Sequence, residues 1–278
     1  MPTSQLSEAK FLGPQSFEEM DIPKILYKYR DWENPIHKRI LREREVYFAS
    51  PGSFVDPYDC HIPRRFDLLT DEQILNWYRT DLKIQFPNWE TDKIEKEAKQ
   101  WLDKGLLRNK EHIASFNKEF WDDFNMLFGI LSLTPVLDSK EMWIKYANNY
   151  TGFCVGFKSL ELFRDSQHFG SGGPVSYYSE LPVLIPYQED SIIEHQRQIY
   201  SKEEKWSYEK EYRLSKINIR NRAVTIPLAI YSEVIIGPKI RKNSKKDIIR
   251  IVSRSLQGVV LKDLYFEGEE IKIKDIKF

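Results

Sequence analysis

Cysteine is the scarcest chemistry in this chain: 278 residues hold only Cys60 and Cys154, in unrelated contexts. That scarcity excludes a disulfide framework and a zinc site built from cysteine alone, and it suits a reducing compartment. An excess of charge of either sign is also missing. The 42 basic and 42 acidic side chains cancel, so no overall field draws the protein to nucleic acid or membrane, and any such partner must use a local patch. No apolar run approaches the roughly 20 residues that cross a bilayer, and Met1 to Gly13 lack the apolar stretch of a signal peptide. The expectation is a cytoplasmic protein without a membrane partner. Familiar site signatures are absent as well: no Gly-x-x-x-x-Gly-Lys phosphate loop, no Rossmann glycine fingerprint, no His-Glu-x-x-His and no paired Cys-x-x-Cys. Standard ATPases, dehydrogenases and zinc proteases drop out on that ground.

What the chain does have is aromatic area, with 16 Phe, 15 Tyr and 7 Trp, enough for a sizeable core. Alternation predicts strands at Ile25–Tyr29, Val46–Ser50, Leu131–Thr134, Gly152–Phe157, Val175–Tyr178, Tyr212–Ile217, Val224–Ile230, Glu233–Ile236, Leu261–Phe266 and Glu270–Lys274. A helical period predicts Ile36–Arg44, two or three packed helices over 70–128 that open on a Thr70/Gln73 capping box, and a helix after Asp138 with Glu141 as capping partner. Further helices are expected at Glu189–Lys205 and from Ser244 and Asp247 to Gly258, while His168–Pro174 reads as a flexible loop. The fold class expected is α+β, a mixed, largely antiparallel sheet with flanking helices. Residues 1–21 read as a loose N-terminal arm and 22–278 as a single domain with a helical insertion at 70–128.

The run from Lys205 to Leu214 carries the clearest chemistry. Read as one strand, it projects Glu209, Glu211 and Arg213 from one face and Tyr208, Tyr212 and Leu214 from the other. Two carboxylates and a guanidinium so placed could orient a substrate hydroxyl or stabilise developing positive charge, and could equally form an ion-pair ladder. On the first strand Lys28 shares a face with Arg30, where two cations could hold an anion or pair with carboxylates at a sheet edge. The stripe Met142, Trp143, Tyr146 and Ala147 is either a helix face packed on the sheet or an aromatic wall for a planar base. Asp56, Asp59, Cys60 and His61 put four potential ligands within six residues. The same residues make a tight turn at Asp56-Pro57, and no metal is expected. Lys239, Arg241, Lys242, Lys245, Lys246, Arg250 and Arg254 form a local basic patch over 239–254, read as a solvated helix face and as the one place where nucleic acid could bind.

Tyr27-Lys28-Tyr29-Arg30, Tyr47-Phe48-Ala49-Ser50-Pro51 with Phe54, Asp56-Pro57 and Asp59, Met142-Trp143 with Tyr146-Ala147, Gly152 to Phe157, and Trp206 to Arg213 together resemble the bacterial domain-of-unknown-function family 2971. One departure is Val55, where that family carries Asn before its Asp-Pro. More distantly the chain is similar to ADP-ribosyltransferases, with Lys28 in the place of the first-strand residue and Glu209-Lys210-Glu211 in that of the late acidic motif. Lys28 is neither the His nor the Arg of that pattern, and Leu131-Ser132-Leu133-Thr134 is a loose counterpart of its Ser-Thr-Ser motif. The resemblance implies NAD as substrate and a macromolecular acceptor of ADP-ribose. Glu211 and Glu209 would be catalytic, and Lys28, Tyr29, Arg30, Trp143, Tyr146 and Arg213 would hold the dinucleotide. The competing reading is a noncatalytic ligand-sensing or protein-interaction module, in phage defence for example.

Overall fold

The computed structural model describes residues 22–165 and 167–276, so the arm expected over 1–21 lies outside the described residues. The chain begins with β1 (Ile25–Arg30), turns through α1 (Arg39–Arg42) into β2 (Glu45–Tyr47), and passes a short 3-10 turn at Pro51–Ser53. Three helices follow: α2 (Asp71–Gln85), α3 (Thr91–Asp103) and α4 (Lys110–Leu127). Strand and helix then alternate through β3 (Gly129–Leu133), α5 (Lys140–Tyr146), β4 (Phe153–Lys158) and α6 (Ser159–Arg164). Beyond them come β5 (Ser171–Pro174), β6 (Ser176–Tyr178), α7 (Ser191–Tyr200), β7 (Ser201–Glu203) and β8 (Tyr212–Lys216), with a 3-10 segment at Glu204–Glu209. The chain closes with β9 (Ala223–Thr225), β10 (Tyr231–Ile236), α8 (Lys242–Ser255), β11 (Val260–Glu267) and β12 (Glu270–Asp275).

The mixed, largely antiparallel α+β architecture expected from the alternation is what forms. The main sheet runs β1-β4-β10-β11-β12 and is antiparallel except between β10 and β11, which α8 joins as a crossover. A second sheet, β3-β8-β5, is antiparallel throughout. Period-two alternation splits the main sheet's side chains between two cores. Leu26, Val155, Phe157 and Val234 pack with Ile248 and Val252 of α8. Tyr27, Tyr29, Cys154 and Ile235 pack with Met142 and Trp143 of α5. Each fully buried side chain of this size contributes about 1.5–3 kcal/mol relative to exposure, so the two faces anchor α8 and α5 on opposite sides.

The helical block over α2–α4 has its own apolar cluster, built on Ile74, Tyr78, Leu82, Ile94, Ala98 and Leu107. Its predicted start is present in full: the Thr70 hydroxyl accepts from the Gln73 amide N–H while the Gln73 side chain accepts from the Thr70 N–H. No helix among the described residues is long and apolar enough to cross a membrane.

Several expectations need correction. The helix read over Ile36–Arg44 shrinks to Arg39–Arg42, because Arg44 takes a positive φ of 54° and turns the chain. Ser139, not Asp138, caps α5, its hydroxyl taking the Met142 N–H. The helix read over Glu189–Lys205 stops at Tyr200, and α8 begins at Lys242 with no side-chain cap among the described residues. The loop read at His168–Pro174 contains strand β5, paired with β8. The single strand read from Lys205 to Leu214 is a 3-10 segment up to Glu209, a left-handed Lys210 at φ 41°, and β8 only from Tyr212. The strand read over Val224–Ile230 is the short β9 and then a 3-10 turn at Leu228–Ile230.

Candidate functional site

The two sheets share one apolar core, and a backbone bridge joins them where β1 passes the end of β3. Tyr27 and Thr134 exchange backbone hydrogen bonds, Tyr27 N–H to Thr134 O at 2.7 Å and Thr134 N–H to Tyr27 O at 3.1 Å. Further along β1 the Lys28 ammonium reaches β3, donating to Ser132 O at 2.6 Å. A cavity of about 280 Å³ lies beside this junction, close to the lower bound of about 300–1,000 Å³ for small-molecule sites. The end of β1, α5, the Ser53–Asp56 turn and the Lys202–Glu211 stretch all contribute walls.

One wall is cationic. Lys28 and Arg30 both line the cavity, and both are half-buried. Burial first, then the neighbouring Arg30 charge, pull Lys28 down to about 7, against the opposing pull of Glu211 and Glu209. Burial likewise lowers Arg30 to about 10, which leaves it charged at neutral pH. Among the described residues the Arg30 guanidinium makes no hydrogen bond and no ion pair. A guanidinium carries five donors in a planar fork suited to phosphate or carboxylate, and here that fork is uncommitted.

The opposite wall is acidic but already neutralised. The Lys202 ammonium sits among three carboxylates, 2.7 Å from Glu209 Oε2, 3.0 Å from Glu211 Oε2 and 3.2 Å from Asp59 Oδ2. Arg213, wholly buried, adds Nη2 to Asp59 Oδ1 at 2.6 Å and grips Glu211 with Nε and Nη2. Lys145 reaches Glu209 Oε1 at 3.1 Å, and the Tyr146 hydroxyl donates to the same oxygen at 2.6 Å. Burial works against ionisation of Glu211, but Arg213 and Lys202 overcome it and hold that carboxyl well below the usual carboxylate range. A general base needs a pKa near the working pH, so Glu211 here is a fixed negative charge rather than a proton acceptor.

The aromatic wall is Trp206 with Tyr146. Trp206 donates its indole N–H to Asp56 Oδ2, and Lys145 stands 3.9 Å over its ring. Asp56 Oδ1 also accepts the Tyr58 N–H at 3.1 Å, the tight turn expected at Asp56-Pro57. The other residues of that four-ligand run are spent elsewhere: Asp59 on Arg213 and Lys202, Cys60 in the core, His61 against the Trp121 ring at 3.8 Å. No group of His, Cys, Asp and Glu among the described residues could hold a metal ion. Val55 is fully exposed at the cavity's rim.

Of the residues singled out from sequence, Lys28, Tyr29, Arg30, Tyr146, Glu209 and Glu211 all line the cavity. Trp143 does not. It is wholly buried, donates its indole N–H to Leu137 O at 2.9 Å and packs edge-on against Tyr29 at 5.1 Å, so the helix-packing reading is the one that fits it. Arg213 does not line the cavity either; it lies behind Glu211. Sequence reasoning missed Lys202, Lys145 and Trp206 as site residues. Trp206 carried a signal, being in the same run as Glu209, whereas Lys202 carried none.

Residues 142–214 match the profile of a family described as Protein of unknown function (DUF2971). The matched segment runs from α5 into β8 and so contains Lys145, Tyr146, Lys202, Trp206, Glu209 and Glu211. The match supports kinship with that family over this stretch. No curated protein and no solved structure matches the chain.

Proposed function

We propose that the cavity binds a small molecule of the nucleotide class, with its anionic part against Lys28 and Arg30 and its ring against Trp206 and Tyr146. The observation that carries this is the uncommitted Arg30 guanidinium facing a cavity whose nearby acids already have cationic partners. An anion entering there meets unpaired positive charge on one side and a neutralised cluster on the other. The cavity accommodates a mononucleotide-sized part, so a dinucleotide such as NAD would leave its other half beyond the rim at Val55.

A second reading, ADP-ribosyl transfer from NAD, draws support from Lys28 and Glu211 lining the same cavity. In that reaction the bond between nicotinamide and the ribose C1′ breaks and nicotinamide leaves with the bonding electrons. A nucleophile of the acceptor then bonds to C1′ and loses its proton to solvent. The ionised Glu211 would stabilise the oxocarbenium-like ribose electrostatically.

Titration calorimetry with AMP, ADP-ribose and NAD tests the binding reading, comparing the native chain with Arg30→Ala. Saturable binding that weakens about tenfold or more in the variant, as expected for a lost charge-assisted pair, supports it; binding untouched by the variant, or no binding, overturns it. Chromatographic detection of nicotinamide released from NAD tests the transferase reading, with Glu211→Gln as control. Release that persists in that variant, or no release at all, removes the catalytic role.

A further inference from the structure

A second charged feature stands apart from the cavity. Helix α8 buries Ile248 and Val252 in the core it shares with Ile40 and Leu41 of α1, and the two helices pack side by side. On its exposed side Lys242, Lys246, Arg250 and Arg254 recur at four-residue intervals, which on a helix puts successive charges about 6 Å apart along a slowly winding stripe. Arg250 is paired with Asp247, but Lys242, Lys246 and Arg254 make no hydrogen bond or ion pair among the described residues. Nor does the side chain of Arg241 just before the helix, whose carbonyl accepts the Lys245 N–H. The first turn of α8 contains no acidic residue, although helix starts ordinarily favour Asp or Glu. On the neighbouring α1 Arg42 is exposed, its guanidinium over the Trp32 ring, while Arg39 is spent on Glu43 and Glu45. In a chain of zero formal net charge this is a local concentration, and it sets two segments about 200 residues apart next to each other.

We propose that the outer face of α8, with α1 beside it, docks on the phosphate backbone of duplex nucleic acid. The chemistry narrows the partner. Aromatics are absent from α8, so splayed bases of a single strand would find no stacking platform. Its fully buried apolar residues, Ile248 and Val252, are turned into the core, which leaves little to insert into a lipid surface. A regular row of four cations, three of them uncommitted, is suited to a repeating row of phosphates, contacts that position a protein on the duplex without reading its sequence. Binding is therefore independent of sequence and strongly dependent on salt.

The test is fluorescence anisotropy of the full chain with short labelled DNA and RNA duplexes over a salt series, with anionic vesicles as a competitor. Four phosphate contacts give a fall of log K against log salt with a slope of about −3.6 on B-form DNA. The triple variant Lys242→Glu, Lys246→Glu, Arg254→Glu is expected to abolish binding. The milder Lys242→Gln, Lys246→Gln variant keeps the fold under less strain and is expected to lower the slope by about 1.8. No duplex binding at low salt, vesicle binding in its place, or a double variant that keeps the native slope overturns the proposal. DNA and RNA duplexes binding alike is the expected result, and retention confined to single strands overturns the assignment.

Discussion

Arg213 and Glu211 lie side by side on the acidic wall, Nε to Oε1 at 2.8 Å and Nη2 to Oε2 at 2.9 Å, a two-pronged pair in which both carboxylate oxygens are engaged. Because Arg213 also holds Asp59 and Lys202 bridges Asp59, Glu209 and Glu211, the wall is a closed network that meets the cavity through its carboxylates and Lys202 while Arg213 lies behind. Such a network costs more to break than to have formed, since removing one member strands a buried charge.

Glu211→Gln keeps the side chain's volume and removes its charge. We expect it to destabilise the fold by about 3–5 kcal/mol at neutral pH, read from urea unfolding. The pH dependence has a definite sign. The folded carboxyl titrates below its unfolded value of about 4.3, so its contribution is complete above that value and is lost as pH falls through the folded one. The gap between native and variant should narrow in acid. A gap that is constant across pH would mean the ion pairs are not its source.

Lys28 follows the opposite logic. Its folded pKa of about 7 lies below the unfolded value of about 10.4, so between these limits the unfolded chain binds the extra proton and stability rises with pH. Lys28→Met should abolish that rise, seen as denaturant midpoints that stay level between about pH 7 and 9.5. A phosphate-bearing ligand on the native chain should flatten the rise as well, because the anion keeps the ammonium protonated. Equal slopes in native chain and variant would place the titrating group elsewhere.

How much of this was legible in sequence depends on whether local pattern or distant packing decided the outcome. β1 was readable from its alternating apolar and charged residues, β4 as a short apolar run that ends up buried on both faces, and Thr70 with Gln73 because a capping box is a local event. β5 was not. Its Ser-Gly-Gly-Pro stretch becomes a strand because β8 offers a hydrogen-bonding edge, and because Gly172 lets Phe163 and Leu214 close in to within 2.6 Å of where a Cβ would sit. Glu209 and Glu211 were grouped correctly for a reason the fold does not use. Lys210 is left-handed, and the two acids are brought together by Lys202 rather than by strand periodicity. Lys202 itself could not be found, since only the turn from α7 into β7 buries it beside them.

Gly152 links the fold to the cationic wall. A Cβ there would fall 2.1 Å from Arg30 O and 2.9 Å from Ala147 O, both backbone atoms that cannot swing aside. Gly152→Ala should therefore push the end of β1 outward, at a cost of about 1–3 kcal/mol as for other overpacked sites. Thermal unfolding checks the first effect. The second is a weaker affinity for AMP with no charge removed, so a variant that is destabilised yet binds normally would show that Arg30 does not depend on this approach.

Trp206 separates tethering from stacking. Trp206→Phe keeps a ring beneath Lys145 but gives up the indole N–H to Asp56, so the turn at Asp56-Pro57 should loosen, with a loss of about 1.5–3 kcal/mol as for other hydrogen bonds to charged groups. Trp206→Ala also removes the ring. If the base of a nucleotide rests on it, the alanine variant should lose a further 1–3 kcal/mol of binding energy, roughly five- to 150-fold in Kd, beyond the phenylalanine variant. Calorimetric titration with AMP against ribose 5-phosphate resolves the two contributions: the phosphate sugar lacks a base, so its affinity should be equal in the two variants. An alanine variant that discriminates AMP from the sugar as well as the native chain does would put the base against another wall of the cavity.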